Sequence, residues 1–402
     1  MAGVIPFAAM LLGIAVLPLW IPKWWESNRN KGIFTVAISA PALGVIAWLD
    51  THLIQHAAEE YVSFIVLLGS LYYIAGGVVV RGRLRPSPFV NAGMLGFGAI
   101  LASLIGTTGA SMVMIRPFLR ANRIRASTRH LPVFFIFVVS NAGGLLTPIG
   151  DPPLFLGYLR GVPFTWTLQL WPTWLLVNGT LVGLFLLFEL RSLGLSKLDG
   201  EESEPVSIAG AWNLLLLAGV VASAALLGAV WRELSMVALT GISATVTRKE
   251  WRDENGFTTH PIAEVAVLFA GIFLTMQPAL TILQTEGPRL GLTGPQAFFW
   301  ASGLLSSVLD NAPTYLTFFT VAQAASAGAG DLVAGVRPEL LVAISLGSVL
   351  MGANTYIGNG PNFMVKSISE ESGFSTPSFF GFIAWSALIL GPLWLLVAAL
   401  VL

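Results

Sequence analysis

The chain contains no cysteine, which excludes disulfides and thiolate metal ligands. Charge is also scarce: 10% of the 402 residues are Asp, Glu, Lys or Arg, against about 25% in an ordinary soluble domain. The 21 basic residues balance 21 acidic ones, so no electrostatic case exists for a nucleic-acid partner. The four histidines, His52, His56, His130 and His260, fall in loops or at the ends of apolar runs without metal-ligand spacing. What remains is 55% hydrophobic, and apolar runs of about 20 residues recur along the length, each enough to cross ~30 Å of hydrocarbon. This is the composition of a polytopic, all-α membrane protein whose first partner is the lipid bilayer.

Apolar runs fall at about 4–20, 32–49, 62–80, 90–115, 131–157, 166–188, 209–231, 234–247, 261–285, 295–324, 338–365 and 378–402. The first has no basic n-region and no clear small-residue cleavage site, and is read as a span rather than a leader. Residues 189–208, with Gly200-Glu-Glu-Ser-Glu-Pro205, form the one charged stretch of any length. They read as a cytoplasmic linker between 1–188 and 209–402, with six runs on each side. Many of the 13 tryptophans sit at run ends, as in Trp20, Trp24, Trp25 and Trp171, the pattern of an interfacial belt.

The two halves repeat one segment. With a constant shift of 208 residues, Ser140–Phe155 and Ser348–Phe363 agree at Ser140/Ser348, Gly144/Gly352, Thr147/Thr355, Ile149/Ile357, Gly150/Gly358, Pro153/Pro361 and Phe155/Phe363. Seven identities in sixteen positions exceed the roughly one expected by chance, and a fixed offset marks internal duplication. Each copy is a polar, Gly- and Pro-rich interruption of an apolar run. Paired interruptions of this kind point to broken helices around a transport site.

Lys and Arg concentrate in cytoplasmic loops, so their distribution tests how the runs thread the membrane. If all twelve runs cross, the 21 basic residues divide 10 against 11. If the fourth and tenth are re-entrant hairpins, at about 88–122 and 295–324, they divide seventeen to four, and only Arg160, Arg232, Arg289 and Arg337 lie outside. The expected fold is therefore two inverted repeats. Each has five transmembrane helices, one of them broken (about 131–157 and 338–365), plus one re-entrant hairpin. Both termini come out external.

Non-helical backbone at membrane depth persists only where protein or a water-filled cavity satisfies it. The first break offers Ser140, Asn141, Thr147 and Asp151, with Thr107, Thr108 and Ser111 from its hairpin. The second offers Ser348, Asn354, Thr355 and Asn359, with Asp310 and Asn311 from its hairpin. Such oxygen-rich sets suit a partly dehydrated Na⁺ as the bound metal, while half-helix N-termini favour an anion. Asp151 and Asp310 are the carboxylates placed well inside apolar segments. A charge there costs on the order of 2.5–3.5 kcal/mol and usually marks an ion or proton path. An Asp that releases its proton when Na⁺ arrives couples the two ions, so Asp151 or Asp310 is the candidate exchange group. Plainer roles stay open: Asp151 as a helix cap, Ser140 and Asn141 as packing groups, and Asp310-Asn311 as a turn signal. For Arg116, a snorkelling interfacial role outweighs anion binding.

Ser140-Asn-Ala-Gly-Gly-Leu-Leu-Thr-Pro-Ile-Gly-Asp-Pro-Pro153, Leu309-Asp-Asn-Ala-Pro313 and Thr355-Tyr-Ile-Gly-Asn-Gly-Pro-Asn-Phe363 resemble the ion transporter superfamily. That group includes the arsenite-efflux and NhaD-type Na⁺/H⁺ antiporters, the melanosomal P protein, citrate–metal transporters and divalent-anion/Na⁺ symporters. The resemblance spans essentially the whole chain and is closest to bacterial sodium:proton antiporter and citrate-transporter members. It implies a homodimer in a bacterial inner membrane, with scaffold and transport regions and elevator-type alternating access. Divalent-anion symporters carry Ser-Asn-Thr triplets at the hairpin tips, where this chain has Thr107-Thr108-Gly109 and Asp310-Asn311-Ala312. That departure favours Na⁺/H⁺ antiport, with transported ions and no cofactor. Coupled transport of citrate or a similar organic anion is the alternative. An intramembrane aspartyl protease is a remote third, because Pro148-Ile-Gly-Asp151 lacks the first Gly of its Gly-x-Gly-Asp signature.

Overall fold

The computed structural model describes residues 2–49, 52–84, 87–123, 125, 127–193 and 204–402. The first half runs α1 (Ile5–Trp20), α2 (Pro22–Trp25), α3 (Asn28–Leu49), α4 (His52–Ala75), β1 (Val79–Arg83), α5 (Pro88–Ile105), α6 (Thr107–Ala121), α7 (His130–Val138), α8 (Pro152–Leu159) and α9 (Trp171–Leu193). The second runs β2 (Glu204–Ala209), α10 (Trp212–Leu226), α11 (Trp231–Val246), α12 (Lys249–Glu254), α13 (His260–Glu286), α14 (Pro295–Ser306), α15 (Asn311–Ala325), α16 (Pro338–Met351), α17 (Gly360–Glu371) and α18 (Phe379–Val401). Among the described residues five helices are long and apolar enough to cross a membrane: His52–Ala75, Pro88–Ile105, Phe164–Arg191, His260–Glu286 and Phe379–Val401. Shorter apolar helices accompany them at Ile5–Pro18, His130–Leu146, Trp212–Leu226 and Pro338–Asn354.

Proline and glycine decide where these elements begin and turn. Pro88, Pro152, Pro295 and Pro338 open α5, α8, α14 and α16, at the one helical position whose N–H has no intrahelical acceptor to lose. Ser87 caps α5 by accepting from Val90 N at 3.2 Å. α5 and α6 pack on each other and join through Gly106 alone, at φ 80° and ψ 151°, backbone that disfavours any side chain. α7 is buried at every position, as a helix enclosed by protein must be when it is apolar all round.

Helix packing separates two groups. α1, α3, α4, α10, α11 and α13 pack among themselves. α5 to α9 form the second group with α14 to α18. The order of elements is the same from α5 to α9 and from α14 to α18, and so is the way each tip helix is fastened to its break. Thr147 Oγ1 donates to Ser103 O at 2.5 Å, and Thr355 Oγ1 to Ser307 O at 2.5 Å. Gly150 N donates to Thr147 Oγ1 at 3.1 Å, and Gly358 N to Thr355 Oγ1 at 3.1 Å. Ser103 Oγ donates to Gly143 O at 2.5 Å, and Ser307 Oγ to Met351 O at 3.2 Å. The sequence shift is 208 in the breaks and 204 in the hairpins.

Three sequence expectations are corrected. The chain is mostly rather than wholly helical, because β1 and β2 form an antiparallel ladder from Val79↔Ala209 to Arg83↔Glu204. Arg81 fastens that sheet to α12 through Glu254, with Nη2 at 2.6 Å from Oε2, and this contact holds the Glu254 carboxyl below its ordinary range. The linker is also shorter than 189–208: α9 continues to Leu193 and Glu204–Ile208 belong to β2. Glu189 is fully buried rather than solvated. The remaining linker, 194–203 with Lys197, lies outside the described residues, as does Arg85. Finally α4 starts at His52, well before the apolar run at 62, because Glu60 is neutralised by Arg160 with Nη2 at 2.9 Å from Oε2.

Within the first break, a Cβ on Gly150 would collide with the backbone of Gly144, whereas one on Gly179 in α9 would meet nothing within 4 Å. Gly150→Ala is therefore expected to cost about 1–3 kcal/mol and to lower the thermal-unfolding midpoint in detergent. Gly179→Ala should leave that midpoint unchanged or raise it.

Candidate functional site

The two breaks and the two hairpin turns converge on Asp151. Its backbone is extended at φ −144° and ψ 143°, at the N-cap of α8, but its side chain makes no cap hydrogen bond. The carboxylate instead points into the protein with 0% exposure. Oδ1 accepts from Thr107 Oγ1 at 2.9 Å and from Asn359 Nδ2 at 3.1 Å. Oδ2 accepts from Asn311 Nδ2 at 2.6 Å. Thr107 opens α6, Asn311 opens α15 and Asn359 stands directly before α17, so one carboxylate joins four chain segments from both halves. The shift of 208 makes Asn359 the counterpart of Asp151, and that of 204 makes Asn311 the counterpart of Thr107.

A layer of amides surrounds this contact. Asn359 Nδ2 also donates to Ser140 O at 3.1 Å and Asn141 Oδ1 at 3.2 Å. Asn141 Nδ2 donates to Asn362 Oδ1 at 2.7 Å. Asn362 Nδ2 donates to Gly352 O and Thr355 O, both at 2.9 Å, satisfying carbonyls of the second break. Asn362 was missed from the sequence, although its place in Gly360-Pro-Asn362 was a signal of the same kind as Asn359. Ser111 and Ser140 pair through their hydroxyls at 2.9 Å.

Other candidates serve the frame. Asp310 caps α15, its Oδ1 accepting from Ala312 N at 3.0 Å. It lines a recess with Leu11, Ile14, Ala15 and Ile357 rather than joining Asp151. Thr108 lines the counterpart recess at the first tip, with Leu68, Leu71, Tyr72 and Ile149. Thr147 and Thr355 are occupied as hairpin fasteners. Asn354 donates to Ser307 Oγ at 2.8 Å and accepts from Trp394 Nε1 at 3.0 Å. Ser348 accepts at its carbonyl from Ser306 Oγ at 2.7 Å, and its own hydroxyl has no partner.

The expectation that Asp151 and Asp310 were the carboxylates inside apolar segments also needs correction. Glu189 near the end of α9 accepts from His130 at 2.6 Å, Arg125 Nη1 at 3.0 Å and Asn91 Nδ2 at 2.7 Å. Glu60 in α4 pairs with Arg160 and lies 3.6 Å from His56 Nδ1. The arginines come from distant segments, Arg125 for Glu189 and Arg160 for Glu60, so spacing along the chain carried no sign of those pairs.

Among the described residues no cationic side chain pairs with Asp151, which is held by neutral donors alone. Burying a charge without a counter-charge is costly, so a proton or a small cation belongs at this position. Asn311 Oδ1 is buried without a partner beside it, an oxygen free to ligate such an ion. The N-terminal ends of α6, α8, α15 and α17 meet at the same place, and their partial positive charge favours the carboxylate or an anion. The arrangement can thus hold opposite charges side by side.

A family model described as "Putative citrate transport" matches residues 1–402. No curated protein matches the chain.

The roles of the two acids separate by substitution. Asp310→Ala should lose about 1 kcal/mol of stability, as for other caps, and Asp310→Ser should regain most of it. Asp151→Ala strands two buried donors, Thr107 Oγ1 and Asn311 Nδ2, each costing about 1–3 kcal/mol, and should destabilise more. Thermal unfolding of the purified protein reads both, and a Ser variant no better than Ala would count against the cap.

Proposed function

We propose, on the premise that the chain belongs to the citrate-transport family that matches it throughout, that it carries citrate or a similar small polycarboxylate, coupled to a monovalent cation or proton. Its membership makes it a multi-pass membrane transporter and not an enzyme. The observation that carries the finer reading is the centre itself. A cation carrier needs acceptors, and an anion carrier needs donors or helix N-termini. Asp151 supplies the first, and the starts of α6, α8, α15 and α17 supply the second. In this reading the coupling ion neutralises Asp151 and lowers the cost of admitting an anion beside it.

Na⁺/H⁺ antiport at Asp151 is the second reading, favoured by one observation: the carboxylate has neutral partners only. Both readings use the same threading, with α5–α6 and α14–α15 as re-entrant hairpins of two inverted repeats. Side-chain contacts support that threading. Glu60 touches Arg160, and Arg120 Nη1 donates to Gly82 O at 3.4 Å. With twelve crossings, each pair would be split across the membrane. Elevator-type movement of the hairpin-bearing group against the other, homodimer assembly and a bacterial inner membrane complete the proposal; the resemblance supports them.

Purified protein in liposomes with an internal pH dye separates the readings. Citrate is expected to be taken up and to move protons or require Na⁺, and Asp151→Asn should cut uptake by about 100-fold, equivalent to roughly 2.7 kcal/mol. A proton response to Na⁺ or Li⁺ pulses with no citrate uptake would establish antiport instead.

A further inference from the structure

The counterpart half-helices α8 and α17 are packed differently. Phe155 in α8 is 1% exposed, and its counterpart Phe363 in α17 is 57% exposed. Both helices rest on the opposite hairpin and the opposite break: α8 on α15 and α16, α17 on α6 and α7. Only α8 is also packed against the other helix group, on α4. α17 has no comparable packing on α13, the counterpart of α4.

Polar contacts reinforce this difference. Arg160, just past α8, binds Glu60 of α4 with Nη2 at 2.9 Å from Oε2. Tyr158 donates to Ala224 O of α10 at 2.9 Å. The Arg232 guanidinium of α11 lies 5.9 Å from the Phe155 ring and 5.6 Å from the Tyr158 ring. Arg232 is itself held by Glu233, Nε to Oε1 at 2.8 Å, and Glu233 accepts from Ser63 Oγ of α4 at 2.7 Å. The shift of 208 in the breaks places Ile368 where Arg160 stands, so the ionic contact has no counterpart in the second half. Arg160 and Arg232 belong to the small external set of basic residues, and Lys366 of α17 to the cytoplasmic set.

We propose that this structure is a cytoplasm-facing state whose central site is closed over, with Asp151 at 0% exposure, and that Glu60, Arg160 and Arg232 form an external latch that parts before the site faces outward. The proposal rests on the threading and alternating access of the previous subsection. Conversion to the outward state separates the Glu60–Arg160 pair and lets α17 close on α13. Glu60 and Arg160 are positioning residues, and they touch no substrate.

The absence of cysteine makes the test direct, since an introduced thiol is the sole one. Phe363→Cys and Phe155→Cys are each prepared in the full chain, in inside-out and right-side-out membrane vesicles, and treated with a membrane-impermeant maleimide. Phe363→Cys should react from the cytoplasmic face about tenfold faster than Phe155→Cys from the external face. Adding Glu60→Gln should speed external labelling of Phe155→Cys and slow cytoplasmic labelling of Phe363→Cys, each by about tenfold, as a shifted two-state equilibrium requires. The reversed pair, Glu60→Arg with Arg160→Glu, should restore the original rates. An unreactive Phe363→Cys would place that face in lipid and overturn the cytoplasm-facing state. Rates unmoved by Glu60→Gln would overturn the latch. If Glu60→Gln fails to insert, Arg160→Gln takes its place with the same two outcomes. Citrate uptake by the same vesicles is scored separately. Its absence beside intact labelling asymmetry would retire the citrate reading and leave the latch standing.

Discussion

Backbone amides that leave a helix inside an apolar medium must find partners in the protein, and this requirement governs the molecule's centre. Residues between α7 and α8, and between α16 and α17, abandon regular helix in the most buried part of the chain. Their carbonyls are met by side chains from elsewhere: Ser103 on Gly143, Ser307 on Met351, and Asn362 on Gly352 and Thr355. Each break thus leans on its hairpin for these bonds, and the same hairpins also bring Thr107 and Asn311 to Asp151. Small residues make such close approach possible, as Gly144 against Gly150 shows. The doubled architecture follows from one local problem solved twice with the same residues.

Charge obeys the same economy. Glu60 and Glu189 are buried beside arginines, whereas Asp151 is surrounded by amides and a hydroxyl. A satisfied ion pair stiffens a structure and is expensive to disturb. A carboxylate with neutral donors keeps its affinity for a proton or cation in reserve. The two duplicated halves share that acid rather than owning one each, since the position equivalent to Asp151 is Asn359. The centre therefore belongs to both halves at once, and binding there bears on all four segments that touch it.

How much of this was readable in the sequence depended on how local each signal was. Gly106, Pro152-Pro153 and Gly360-Pro361 act on their own backbone, so the breaks stood out from spacing, whereas the hairpins were read from the distribution of Lys and Arg. The alignment of Gly150 with Gly358 carried the duplication. β1 was hidden because Val79-Val80 continues the apolar run of α4, and a five-residue strand has too little periodicity to separate from it. Glu189 read as linker because the residues that neutralise it, Asn91, Arg125 and His130, lie far away along the chain. The different fates of Asp151 and Asp310 were also beyond reach. Each stands directly before a helix, and what separates them is the partner: Asn311 and Asn359 from the other half for Asp151, and Ala312 N of its own helix for Asp310.

The small sheet has a mechanical consequence. β1 hangs from α4 and β2 leads into α10, so both strands are anchored to one helix group. From Arg83 the chain passes to α5 of the other group through residues 84–87 only. From Arg83 to Pro88 the chain reaches at most about 18 Å when pulled straight. Any sliding movement between the groups is thus tethered by a leash, and its length is written in four residues beside β1, the shorter of the two described strands.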